Sequence, residues 1–170
     1  MEQGLLHTHN LLRWVVLLFG VLALFTGMRG LSGRRAFTEG DKRTAFYFML
    51  SCDIQLLLGI ALYVLRGWYK VWNTGPVGDI MKDPIRRFWA VEHLAMMIIA
   101  IILVHIGYAG TKGDRPHSGK FKRLFFTTLI ALVLIAAAVP WPFRQQVGRP
   151  WFPGASQAAA PAATVSEASR

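Results

Sequence analysis

The stretch "FWAVEHLAMMIIAIILVHIGYAG", residues 88–110, sets Glu92, His93 and His105 inside a run apolar enough to lie in a bilayer. A charged side chain at the centre of a membrane helix costs about 2.5–3.5 kcal/mol, so such groups point to a ligand, a proton or a polar partner. Upstream, "HTHNLLRW" places His7, His9 and Arg13 at the head of another apolar run, and "SCDIQLLLG" puts Asp53 and Gln55 within a third. Imidazole is the side chain most often used to hold a transition metal. His93 and His105 stand twelve residues apart, a helical rise of about 18 Å, so they cannot share one ion. His93 begins a stripe with Met97, Ala100 and Val104, and His105 falls roughly 120° round from it. Each histidine therefore has to find its partner on a different helix.

Four apolar runs position these groups, at about 11–28, 45–65, 88–110 and 121–139. Each is close to the roughly 20 residues that cross a bilayer. Only a helix satisfies its own backbone there. The expected fold is an all-α membrane protein, a four-transmembrane-helix bundle over residues 1–153 with a disordered C-terminal tail at 154–170. That tail, "ASQAAAPAATVSEASR" after Gly154, lacks the bulky apolar groups a core needs. The first run has no basic residue before it except Arg13 and no small-residue cleavage site after Met28, so it reads as a retained helix. Ser51, Gln55 and Gly59 recur every fourth residue and predict a helix–helix contact face. Asp53 points away from that face and needs a proton or a cation such as Arg13 or His105. Trp68, Tyr69 and Trp72 in the second loop, and Trp141, Phe143, Trp151 and Phe152 after Pro140, fit the headgroup region. The second loop also has room for a short surface helix. His117 reads as a solvated loop histidine.

The whole composition agrees with a membrane protein. Of 170 residues 54% are hydrophobic and only 16% charged, with a mean hydropathy of +0.38; soluble domains carry about 25% charged residues. The net charge of +10 lies in short clusters between the apolar runs, the pattern of membrane loops rather than of a nucleic-acid surface. Loops one and three hold ten of the nineteen basic residues, which leans towards those loops inside and both termini outside a cytoplasmic (inner) membrane. Cys52 is the single cysteine, so no internal disulfide forms. No nucleophile–base pair, phosphate-binding loop or serine elbow is present, and the chain does not read as an enzyme on its own.

A helical bundle with histidines near one face is a way to hold b-type haem, whose iron takes an axial imidazole from each of two helices. Antiparallel packing brings His93 to the same side as His7 and His9, so His93 with His9 or His7 is the expected axial pair. Arg13 would meet a haem propionate, and Glu92 would orient His93. His105 has no second histidine at its depth, so one haem is expected rather than two. The set "HTHNLLRW", "IQLLLGIALY", "RFWAVEHLAMMIIAIILVHIG" and "AAVPWPF", over residues 4–152, resembles small four-helix bacterial integral-membrane proteins described as cytochrome b-like. The resemblance implies a haem-bearing or redox role in the cytoplasmic membrane. Relatives carry a histidine on the second helix where this chain has Asp53, which speaks against a second haem.

The first expectation is thus an electron-transfer protein or redox-complex subunit, exchanging electrons with a quinone or a membrane oxidoreductase. The alternative is a cofactor-free structural or assembly subunit of a membrane complex or oligomer, with Glu92–Arg13 and Asp53–His105 as internal pairs. A copper-handling protein using His93, Met96 and Met97 is the third reading.

Overall fold

The computed structural model describes residues 2–153, which leaves the expected disordered tail outside the described residues. The first helix, α1, runs from Glu2 to Arg29 and the second, α2, from Glu39 to Leu65. A 3₁₀ turn at Trp68–Asn73 and two short helices, α3 (Val77–Lys82) and α4 (Pro84–Arg87), fill the second loop. A π-helical stretch, Phe88–Glu92, then leads into α5, His93–Ala109. The last helix, α6, spans His117–Ala138. No strand occurs among the described residues.

Four helical segments are long and apolar enough to cross a membrane: Glu2–Arg29, Glu39–Leu65, Pro84–Ala109 and His117–Ala138. The all-α four-helix bundle expected from the sequence is the observed fold. The helices begin earlier than the apolar runs, because polar residues also continue a helix where it leaves the hydrocarbon. At α2 the start is fixed by Thr38, whose hydroxyl accepts from Asp41 N–H while the Asp41 carboxylate accepts from Thr38 N–H, a reciprocal cap. Asp41 is buried there and also takes Arg35 at 2.8 Å.

Small and apolar residues at three- and four-residue spacing bring the helices together. In α1 the inward stripe is Arg13, Val16, Gly20, Ala23 and Gly27; in α6 it is Phe121, Leu124, Thr128, Ala131, Ile135 and Ala138. Such stripes let backbones approach closely where lipid offers no hydrophobic contrast. The core sits where Ala23, Phe48, Ala100, Val104 and Ala131 meet. Leu18, Leu57, Ile102 and Val133 point outward, as a bilayer environment requires. The helices form a ring in which α1 lies along α2 and α6, α5 lies along α6, and the α2–α5 seam is the least closely packed.

Loops one and three meet: Phe37 packs edge-on against Phe121 at 4.9 Å. His117 is exposed, as expected, but lies at the start of a helix rather than in the loop. It opens α6, and its Nδ1 accepts from the Phe37 N–H at 3.0 Å.

After α6 the chain turns back across the bundle end. Arg144 reaches Ala137 O, Gly148 N–H donates to Arg144 O, and Arg149 N–H donates to Pro140 O. A Cβ at Gly148 would lie 2.6 Å from Arg144 O and 2.8 Å from Trp141 O, so only glycine takes that path. We refer to Val139–Pro153 as the strap. Its Trp151 stacks on Trp14 at 6.0 Å, and Trp141 meets the same ring at 6.4 Å.

Candidate functional site

Beneath the strap lies a cavity of about 270 Å³, bounded by α1, α2, α5, the end of α6 and the strap itself. His7, His9 and Arg13 come to it from α1, Gln55 and Gly59 from α2, and His93 and Met97 from α5. Val16, Leu56, Leu94, Ile101 and Ile135 make the rest of the wall largely apolar. The expected grouping of His93 with the head of the first helix is therefore what the fold produces.

His93 is delivered by the π-helical stretch, whose wider turn makes His93 N–H bond to Phe88 O. Such insertions shift the facing of a side chain and recur at functional sites. Phe88 and Trp89 flank the His93 ring, each at 5.7 Å. Its Nδ1 stands 2.9 Å from the Ala138 carbonyl. A carbonyl only accepts, so Nδ1 carries the proton and Nε2 keeps a free lone pair. This is the arrangement of a metal-ligating imidazole, oriented by a backbone carbonyl.

His9 lies across from it. Gln55 Nε2 donates to His9 O at 2.9 Å, which ties this turn of α1 to α2. A Cβ at Gly59 would come within 3.3 Å of His9 Cε1, so the glycine makes room for the ring. The predicted Ser51–Gln55–Gly59 face is thus a contact face towards α1 at its last two positions, and Ser51 is buried with its hydroxyl donating to Phe48 O. His9 Nδ1 is buried without a hydrogen bond. His7 also lines the cavity but is exposed.

Three arginines line the cavity. Arg13 is 6% exposed; its Nη2 donates to Pro150 O at 2.9 Å and Trp151 O at 2.8 Å, so this group fastens the strap. Arg66 and Arg149, which the sequence did not single out, also line the cavity. Arg149 lies over the Trp89 ring at 5.2 Å. Burial, and then the neighbouring positive charge of Arg66, lower the Arg149 pKa. Arg66 Nε has the Glu2 carboxylate 3.0 Å away, in a geometry that makes no hydrogen bond.

Among the described residues, five buried side-chain polar atoms lack a hydrogen bond: His9 Nδ1, Arg13 Nε, Gln55 Oε1, Arg66 Nε and Arg149 Nε. All five belong to residues that line this one cavity. Each such group costs about 1–3 kcal/mol when left unmade, and an unpaired buried polar group calls for a ligand, an ion or water to meet it.

Other expectations are corrected. Glu92 does not orient His93, nor does it pair with Arg13; it takes Arg87 Nε at 2.6 Å, and Ala138 O holds His93 instead. His105 does not line the cavity and is exposed on α5, where its Nε2 lies 3.4 Å from Asp53 Oδ1. That is the Asp53–His105 pair foreseen from the sequence. Of the copper set, His93 and Met97 line the cavity and Met96 does not. Among the described residues no three His, Cys, Asp or Glu side chains converge as a metal site.

Fold and site together define a multi-pass helical membrane protein with a histidine- and arginine-lined cavity at one end of its bundle. No protein-family model, no curated protein and no solved structure matches the chain, so the comparisons leave the cytochrome b-like resemblance where the sequence put it.

Proposed function

We propose that this chain is a b-type haem protein of the cytoplasmic membrane, holding one haem between His9 and His93 and passing electrons within a redox complex or to a quinone. The observation that carries the reading is the gathering of every buried unpartnered side-chain atom of the described residues around one cavity. One of these atoms belongs to a histidine, and the facing histidine has its tautomer fixed with Nε2 free.

The residues fit the group. A bare ion would need a converging set of side-chain ligands, whereas a porphyrin supplies its equatorial nitrogens and asks the chain only for axial imidazoles. The apolar wall from Val16, Leu56, Leu94 and Ile135 suits a porphyrin face. When bound, haem supplies one-electron redox chemistry. The chain's own part is to hold His93 by Ala138 O, to seat His9 on Gly59, and to close the mouth with the strap that Arg13 fastens. The distribution of basic residues in the loops leans towards this end of the bundle lying on the outer side of the membrane.

The test is a dithionite-reduced minus air-oxidised visible spectrum of the purified protein, with iron measured on the same sample. Sharp b-type bands with about one iron per chain are expected for an axial bis-imidazole site. His93→Ala and His9→Ala should each lose the bands, and His7→Ala should keep them. Full haem content in His93→Ala would overturn the assignment. A flat spectrum after expression with ample haem would leave the cofactor-free subunit as the reading to pursue.

A further inference from the structure

Three guanidinium groups reach one cavity, and each leaves its Nε–H without a hydrogen bond. Arg13 differs from the other two, because both strap carbonyls already occupy its Nη2. Arg66 and Arg149 have no such backbone partners. Both line the one cavity, and burial and then the positive charge of Arg66 lower the Arg149 pKa. Two cations held together in a partly apolar setting are unfavourable unless an anion lies between them. Arg66 has an ion pair at 3.0 Å with the half-exposed Glu2 carboxylate that makes no hydrogen bond to its Nε–H, and Arg149 has no carboxylate partner among the described residues. Trp89 props Arg149 from the cavity wall. Trp68 stacks on Trp89 in turn, at 6.3 Å. Guanidinium forks match carboxylates in shape as well as charge.

We infer that Arg66 and Arg149 form a carboxylate clamp at the cavity mouth, binding the acid side chains of the porphyrin whose iron His9 and His93 would hold. This rests on the haem reading and adds to it the two residues that set which way the ligand enters. The acid groups lie at the mouth, the macrocycle lies towards Val16 and Ile135, and Arg13 remains a fastener of the strap.

The test uses the full chain, produced without haem, held in detergent or a lipid disc, and titrated separately with iron protoporphyrin IX and with its dimethyl ester. Soret absorbance reads binding directly, independent of any electron-transfer activity. The free acid should bind about tenfold more tightly than the ester, the loss expected when a charge-assisted hydrogen bond is removed. In Arg66→Gln/Arg149→Gln the preference should fall to near parity, with the ester still giving an axial bis-imidazole spectrum. Arg149→Gln alone should reduce it part-way, which keeps the question answerable if the double variant fails to fold. Equal binding of acid and ester by the unaltered chain would overturn the clamp and leave the haem reading standing. So would a preference undiminished in the variants. Binding of neither compound would overturn both.

Discussion

Gly59 is the smallest residue at the cavity and carries the sharpest consequence. With 3.3 Å between its virtual Cβ and His9 Cε1, Gly59→Val pushes the imidazole off its seat. Overpacking of this kind costs about 1–3 kcal/mol. A modest fall in melting temperature in detergent is expected, together with loss of the paired-imidazole spectrum while His93 stays bonded to Ala138 O. An unchanged spectrum would place the His9 ring elsewhere. His93 and His9 were readable in the sequence because an imidazole in or beside an apolar run is conspicuous by cost alone. Arg66 and Arg149 were not, since each lies in a polar stretch where a basic residue is ordinary; only the return of the strap makes them neighbours. Glu92 misled for a related reason. Sequence adjacency to His93 suggested support, but the π-helical turn hands Glu92 to Arg87 and leaves the orienting bond to the backbone carbonyl of Ala138, 45 residues further along the chain.

At the scale of elements, the α2–α5 seam is the weakest of the bundle's four contacts. The Asp53–His105 pair spans it, next in sequence to the cavity-lining Cys52 on α2 and one turn on from Ile101 on α5. His105 Nδ1 donates to Ile101 O at 3.0 Å, which leaves Nε2 facing the Asp53 carboxyl group at 3.4 Å. Asp53→Asn keeps a donor for Nε2 and should melt close to the unaltered protein. Asp53→Leu and His105→Leu should each destabilise, with a coupling in a double-mutant cycle of about 0.6 kcal/mol and at most about 1.7, the range for interhelical hydrogen bonds in membranes. Neither should alter a haem spectrum, because the pair does not line the cavity. The four helices and this cross-helix pair were legible from hydropathy and from the need of Asp53 for a partner. Helix starts were not, since Thr38 and Asp41 cap α2 well before its apolar run begins.

Over the whole molecule, the strap converts an open helical bundle into a container. Gly148→Val forces backbone out of the path between Arg144 O and Trp141 O, releasing the carbonyls that Arg13 holds. A loss of about 2 kcal/mol or more is expected, read as a lower melting temperature, along with altered tryptophan fluorescence as Trp151 leaves Trp14. Retention of both signals would mean that the strap does not depend on this turn. The cavity draws its lining from the beginning of α1, the latter half of α2, the first half of α5 and the end of α6, all at one end of the bundle. The other half is close-packed around Ala23, Phe48, Val104 and Ala131. A charge moved through the full membrane field exchanges about 2.3 kcal/mol per 100 mV. A charge that enters this cavity from its own side crosses only part of that field, with the packed half acting as insulation behind it. A charged ligand beneath the strap would therefore exchange less than that full amount with the membrane field.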